Sequence, residues 1–152
     1  MRTSMAMYDL SLGPKEYRII SGGLAYHHPF SGLRYHLIFH QAIHMPDLDH
    51  HLMRSMQLRA NGVMVNDCLR MFCNEPGEHD IIAKDENGEP VILPSFLRGV
   101  VSFLNVESLS LDEFEAHEYP RVELTDQHLT WQPDSSVFED QENATVCFGS
   151  TK

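Results

Sequence analysis

The chain has no long hydrophobic run, few cysteines and few basic residues, and each shortage excludes a class of protein. No apolar stretch in the 152 residues approaches the ~20 residues that cross a bilayer, so we expect no membrane span. Three cysteines are too few, and odd in number, for a disulfide framework. Reduced thiols favour an intracellular, cytoplasmic protein. Lys and Arg number 11 against 22 Asp and Glu, a net charge of −11, so we expect no surface for nucleic acid.

Several catalytic and cofactor motifs are missing as well. The sequence contains no Gly-x-Ser-x-Gly elbow, no His-Glu-x-x-His helix and no Gly-x-x-x-x-Gly-Lys phosphate loop. Cys68 and Cys73 lie five positions apart, but no second cysteine pair completes a zinc site. We therefore expect no cofactor from these motifs.

The segments that are present alternate between short strands and turns. Tyr17–Tyr26 is rich in β-forming residues and is interrupted by Gly22 and Gly23, a pair that marks a bulge or a close approach of another segment. Arg34–His44 alternates with period two and places aromatic and aliphatic side chains on one face. The two strands are predicted to form a hairpin.

Two short helices are also predicted. The first opens at Pro46, has Asp47 or Asp49 as its cap, and ends at Asn61-Gly62, where glycine supplies a left-handed conformation. The second covers 109–117 and opens with a capping box of Ser110 and the glutamate three residues later.

Together these patterns predict a mostly-β domain. The Asn87-Gly88 pair between 80–84 and 90–94 is a further hairpin signal. Many short strands, Gly and Pro turns and two short helices are typical of a small barrel or sandwich. We expect a loose arm at 1–16, the β domain at 17–126, and an irregular, acidic and partly disordered tail at 127–152.

The histidines offer one route to metal chemistry. His36, His40 and His44 are four apart and would share one face of a strand, where they would span ~13 Å, too far for one ion. His50 and His51 lie just beyond, so a zinc site assembled across the corner is the alternative hypothesis. It implies a metal-binding module or hydrolase.

The stretch from Gly22 to Gly62 resembles the retropepsin-like region of copia-type retrotransposon polyproteins, whose pattern joins a glycine pair, a hairpin, a Pro-x-Leu corner and a Leu-rich helix. Two later pieces, 92–101 and 111–115, are also similar, and the resemblance extends over most of 17–142. The matching residues are Gly22-Gly23, the hairpin through Gly32, Ile43-His-Met-Pro-Asp-Leu48, His51-Leu-Met-Arg-Ser-Met-Gln-Leu58 and Gly62.

The resemblance implies a retropepsin-like barrel or sandwich in which Gly22 and Gly23 belong to the flap. It also implies a dimer, since each retropepsin subunit supplies one catalytic Asp from an Asp-Thr/Ser-Gly turn. No such turn occurs here, and Asp134-Ser-Ser136 is the nearest approximation. An acid pair that shares a proton cannot form without it.

We therefore expect a fragment or decayed copy of a polyprotein, a pseudoenzyme with no catalytic residue and no peptidase activity alone. Its expected partners are a second copy or another strand added at a sheet edge, with no nucleic acid and no membrane. A simple β-sheet interaction module is the remaining alternative.

Overall fold

A computed structural model describes residues 17–47, 51–73, 78–128 and 130–149. Strands account for 38% of it and helices for 19%, so the predicted mostly-β class is confirmed. A 3-10 turn at Arg70–Phe72 lies between the strands Met64–Asn66 and Asp80–Lys84. The other described elements, in chain order, are β1 (Arg18–His27), β2 (Arg34–His44), α1 (Ser55–Ala60), β3 (Met64–Asn66), β4 (Asp80–Lys84), β5 (Pro90–Pro94), β6 (Phe96–Arg98), β7 (Val101–Phe103), β8 (Val106–Ser108), α2 (Leu111–Ala116), β9 (Arg121–Glu123) and α3 (Val137–Gly149).

The strands form three sheets. Sheet A has the order β8-β1-β2-β9, sheet B the order β3-β4-β5, and sheet C consists of β6 and β7. The predicted hairpin of β1 and β2 is confirmed. The β2–β9 pair is parallel, whereas the other pairs in the described residues are antiparallel. The sheets do not close into a barrel over the described part of the chain.

A β-bulge interrupts the long hairpin. Ile20 pairs with Ala42, but Gly22 pairs with Phe39, so Ser21 alone faces the two residues between them on β2. One of these two, Gln41, has a φ of 55°. A bulge of this kind reverses the alternation of side chains beyond it.

Tight turns close the hairpins, as their sequences predict. In the β4–β5 turn the Asp85 carboxylate accepts hydrogen bonds from the N–H groups of Asn87 and Glu89, at 2.9 and 3.0 Å. Gly88 has a φ of 81°, which the Asn-Gly signal anticipated. Both strand ranges, 80–84 and 90–94, agree with the prediction.

The hydrophobic core lies between sheet A, sheet B and α1. It is built from Tyr26, Leu37, Leu58, Val63, Ile81, Ala83, Val91, Leu93, Val122 and Leu124. α2 packs on the opposite face of sheet A, where side chains of Leu109 and Phe114 lie close to Gly23. β2 is consequently buried on both faces from 36 to 38.

The first predicted helix begins later than expected. α1 starts at Ser55, with Arg54 as a cap residue that makes no side-chain capping bond. Asp47 lies in a turn and does not cap the helix, and Asp49 lies outside the described residues. Only Gln57 and Leu58 of α1 are buried. Packing stabilises just this short piece, and short helices do not persist in water without it.

The second predicted helix is confirmed with its capping box. The Ser110 hydroxyl accepts from the N–H of Glu113 at 3.2 Å, and the Glu113 carboxylate accepts from the N–H of Ser110 at 3.1 Å. The chain leaves the helix through His117, which has a φ of 51°.

The tail differs from the prediction. It contains a third helix, α3, where an irregular segment was expected. Glu139 and Asp140 in its first turn interact favourably with the positive end of the helix dipole. The ring of Phe138 packs against Trp131 at 5.6 Å between centroids, so a tertiary contact reinforces a helix that a polar composition did not suggest.

No helix in the described residues is long and apolar enough to cross a membrane.

Candidate functional site

His36 is buried next to the ring of Tyr119. Only 1% of its surface is exposed, and it lies beside Arg121 in the β2–β9 register. The Tyr119 ring lies 5.3 Å from the imidazole between centroids. Neither imidazole nitrogen has a hydrogen-bond partner in the described part of the chain. An imidazole in such surroundings is difficult to protonate.

The electrostatics around His36 point the same way. Burial lowers the pKa of His36, the guanidinium groups of Arg34 and Arg121 lower it further, and Glu113 opposes them. The two guanidinium groups lie over aromatic rings, Arg34 at 5.0 Å from the Tyr119 centroid and Arg121 at 4.3 Å from that of Phe114. The neutral form of His36 is thus favoured by burial and by the two neighbouring guanidinium groups.

His40 lies on the same face as His36, four residues along. Its Nδ1 is 3.0 Å from the hydroxyl of Ser21, and its Nε2 is 3.7 Å from a carboxylate oxygen of Glu123. The main chain of His40 exchanges two hydrogen bonds with the hydroxyl of Thr125. The Nδ1 and the main chain of His40 are thus hydrogen-bonded, whereas its buried Nε2 has no hydrogen-bond partner among the described residues.

The other predicted histidine ligands are not brought to His36 and His40. The bulge places His44 on the opposite face of β2, and both His44 and His51 are exposed. The expectation of one shared face was wrong for His44 because the sequence does not reveal the bulge. His50 lies outside the described residues. Within those residues, no three His, Cys, Asp or Glu side chains form a group that could hold a metal ion. A zinc site that includes His50 stays a prediction.

Gly22 and Gly23 lie within β1, away from the turn of its hairpin. Gly22 pairs with Phe39 and Gly23 with Ile38. A Cβ added at Gly23 would lie 3.1 Å from Leu109 Cδ2 and 3.2 Å from Phe114 Cδ2. The close approach predicted from this glycine pair is therefore made by side chains around α2. The assignment of these residues to a flap stays a prediction.

Cys68 and Cys73 lie on either side of the 3-10 turn. Cys68 is exposed and Cys73 is half-buried. A hydrogen bond with the Cys68 side chain raises the pKa of Cys73, and burial raises it further. Raising the pKa reduces the thiolate fraction, so this environment does not activate Cys73 as a nucleophile.

A surface pocket of about 230 Å³ lies where the chain beyond β9 folds back on β2 and α1. We call it the Trp131 pocket. Gln41 connects its walls, because its amide donates to the carbonyl of Asp126 at 3.0 Å and accepts from the N–H of Trp131 at 2.5 Å. Phe138 packs against Trp131. Sequence reasoning missed this pocket because it assigned 127–152 to an irregular tail.

Comparison of the chain with known protein families, with curated proteins and with solved structures found no match.

The Trp131 pocket had one signal in the sequence. Trp131 is the single tryptophan of the chain, and it lies in a polar, acidic segment. Large aromatic residues are seldom left in such a segment unless they pack or bind. The pocket could therefore have been suspected from Trp131, although its lining from β2 and α1 could not.

Proposed function

We propose that this chain is a retropepsin-related β module derived from a copia-type retrotransposon polyprotein, and that it associates with a second copy of itself without peptidase activity. The sequence likeness across Gly22–Gly62 supports the ancestry. The missing Asp-Thr/Ser-Gly turn supports the lack of catalysis. The open edge of β1 is the single observation that carries the proposed association.

That edge is unpaired over half the length of β1. β8 pairs only with Leu24–Tyr26. In the described residues, no strand pairs with 18–23 on the side of β1 that carries β8. Ile19 and Ile20, which lie on this stretch, are 41% and 39% exposed. An unpaired strand with exposed apolar side chains is a template for another strand.

The edge strand β5 differs from β1 in its proline content. β5 is an edge strand of sheet B and has a proline at each end, Pro90 and Pro94. Proline lacks a backbone N–H and blunts an edge against further pairing. The stretch from Arg18 to Gly23 contains neither proline nor lysine. The edge of β5 thus carries prolines, and the open edge of β1 at 18–23 does not.

A second copy is the partner that suits this edge best. Two identical strands can pair antiparallel across a two-fold axis, so that each satisfies the backbone groups of the other. The two copies of sheet A would then form one continuous sheet. A strand from a different protein is the competing occupant, and it predicts a monomer in isolation.

Light scattering after size exclusion, over a range of protein concentrations, tests the association. We expect a dimer for the unmodified chain and a monomer for Ile20→Lys, because two lysines near the two-fold axis repel and remain hydrated. The matched control is Ile92→Lys, since Ile92 is 50% exposed on the protected strand β5. This control should remain a dimer. A monomeric unmodified chain, or equal loss of dimer in both variants, would refute self-association through β1.

A cleavage assay tests the absence of catalysis separately. We expect no cleavage of a peptide library between about pH 4 and pH 7, the range in which a carboxylate pair can share a proton. Cleavage that a transition-state-mimic inhibitor of aspartic proteases blocks would overturn this half of the proposal, whatever the oligomeric state.

A further inference from the structure

The 3-10 turn brings two thiols into contact. In an extended strand, a spacing of five residues would separate Cys68 from Cys73 by ~17 Å. Here the N–H of Phe72 donates to the carbonyl of Leu69 at 2.8 Å. The N–H of Cys73 donates to the carbonyl of Arg70 at 3.3 Å. These bonds shorten the chain between the two cysteines, and the Cys73 side chain is hydrogen-bonded to that of Cys68.

Arg59 of α1 anchors the chain just before the turn. Its guanidinium donates to the carbonyl of Val65 at 3.0 Å and to the carboxylate of Asp67 at 2.9 Å. The first cysteine of the pair is therefore tied to α1 through its neighbour in the chain. Two reacting groups that the fold holds together have a high effective concentration at each other. A disulfide needs its sulfur atoms at about 2.05 Å, so only a small approach of the hydrogen-bonded thiols is required.

The two thiols differ in access and in acidity. Cys68 is exposed, whereas Cys73 is half-buried. The hydrogen bond with Cys68 raises the pKa of Cys73, burial raises it further, and the charge of a Cys68 thiolate adds to both effects. Because the thiolate is the reactive form, Cys68 is the thiol that a reagent from solution meets first. Cys73 is then the second thiol, in contact with the sulfur of the first.

We propose that Cys68 and Cys73 form a reversible redox site that a small disulfide, such as oxidised glutathione, converts to a protein disulfide. The Cys68 thiolate attacks one sulfur of the small disulfide, whose S–S bond breaks, and a mixed disulfide forms on Cys68. The first small thiolate leaves and takes up a proton. This site is separate from the β1 edge and does not rest on the function proposed above.

The second step closes the protein disulfide. Cys73 releases its proton to solvent, and its thiolate attacks the Cys68 sulfur of the mixed disulfide. The bond between Cys68 and the small molecule breaks, and the second small thiol leaves. Two protein thiols are thus oxidised, and one small disulfide is reduced to two thiols. In the mixed disulfide Cys68 carries no charge, so one of the causes that raise the pKa of Cys73 is absent when this step occurs.

Peptide mapping tests the proposal, because trypsin separates the two cysteines. Cleavage after Arg70 leaves Cys68 in the peptide 60–70 and Cys73 in the peptide 71–84. The native chain is treated with oxidised glutathione, its remaining thiols are blocked, and the digest is analysed by mass spectrometry. We expect the two peptides to be joined by one disulfide, and dithiothreitol added before blocking should restore both free thiols.

Single-cysteine variants assign the two roles. In Cys73→Ser the reaction should stop at a mixed disulfide between Cys68 and glutathione. In Cys68→Ser the mixed disulfide should form on Cys73 at least about tenfold more slowly. Cys147→Ser is the matched control, because it removes a thiol and leaves both members of the proposed site. It should give the same joined peptides, at a rate within about twofold of that of the unmodified chain.

Two results would overturn the proposal: an oxidised chain in which the peptides 60–70 and 71–84 are not joined, or equal rates of mixed-disulfide formation in Cys68→Ser and Cys73→Ser. Circular dichroism shows whether the variants fold. If a serine variant does not fold, labelling of the unmodified chain with iodoacetamide decides the roles. Cys68 should be labelled at least about tenfold faster than Cys73, and equal labelling of the two would contradict the proposal.

Discussion

The Thr125 hydroxyl bonds twice to the main chain of His40. It accepts from the His40 N–H at 2.6 Å and donates to the His40 carbonyl at 2.7 Å. Both residues are buried. The hydroxyl thereby extends the pairing of β2 with β9 past the end of β9, at the bulge where Gln41 has a positive φ. The Thr125 side chain thus supplies hydrogen bonds to β2 beyond the last backbone pair of β2 and β9.

Replacing Thr125 with valine should therefore destabilise the protein. Valine has the same shape but no hydroxyl, so the buried His40 N–H loses its partner, at a cost of about 1–3 kcal/mol. Thr125→Ser keeps the hydroxyl and loses one methyl group, so it should cost about 1 kcal/mol or less. Urea denaturation of both variants measures the two free energies of unfolding. Equal losses would show that the hydroxyl is not the stabilising group.

The two adjacent glycines of β1 should respond differently to alanine. At Gly23 a new Cβ would lie 3.1 Å from a side-chain atom of Leu109 and 3.2 Å from one of Phe114, so these side chains must move by a few tenths of an ångström, and we expect a cost of about 1–3 kcal/mol. At Gly22 nothing lies within 4 Å of a new Cβ. Gly22→Ala should be neutral or stabilise by up to about 1 kcal/mol, through reduced entropy of the unfolded chain. Thermal and chemical denaturation of the two alanine variants measures their stability. Similar free energies of unfolding for the two variants would contradict the packing of α2 on β1.

His36 should make the protein less stable in mild acid. Its folded pKa is lowered by burial and then by Arg34 and Arg121, so the unfolded chain takes up the proton first. Stability is fully present above the unfolded value of about 6.5, and it declines as the pH falls through that value toward the folded pKa. His36→Met should therefore lose less stability between about pH 7.5 and pH 5.5 than the unmodified chain does.

The control for this experiment is His128→Gln, because the His128 side chain is exposed. It should show the same pH dependence as the unmodified protein in denaturation experiments. The variant comparison also accounts for Glu113 and His117, the other charged or titratable groups that influence His36. If His36→Met and the control decline in parallel with the unmodified chain, His36 is not the sensitive group.

The capping box of α2 makes a further prediction. Ser110→Ala removes the hydroxyl that accepts from the Glu113 N–H and should cost about 1 kcal/mol at neutral pH. Hydrogen bonds from the Ser110 backbone N–H and then from the Ser110 hydroxyl lower the pKa of Glu113, and the substitution removes the second of these bonds. A lowered carboxyl pKa stabilises above the unfolded value of about 4.3 and ceases to do so in acid. The difference between the unmodified chain and Ser110→Ala should shrink near pH 3. Ser108→Ala, at an exposed position of β8, should behave like the unmodified chain.

Local patterns predicted the parts of the fold that local chemistry determines. The bounds of β2, β4 and β5 and the capping box of α2 follow from alternation, turn residues and capping side chains near one another in the chain. β8 was not predicted, because its three residues become a strand only by pairing with β1, some 80 residues earlier. α1 was predicted too long, because the length of a short helix depends on how much of it packs.

The candidate site was less predictable for the same reason. A glutamine with a positive φ at position 41 has no sequence signal, yet the bulge there separates His44 from His36 and His40. The Trp131 pocket combines β2, α1 and the segment before α3. Its existence depends on long-range contacts that a pattern of residues does not specify.

The parallel pairing of β2 with β9 has a consequence for biosynthesis. Thr125 lies 85 residues beyond the His40 main chain that it holds, so a ribosome must synthesise most of the chain before sheet A can be completed. Until then one side of β2 lacks its neighbour and is open to other nascent chains. Contacts this distant in sequence form slowly, and unpaired strands of this kind are what chaperones protect during synthesis.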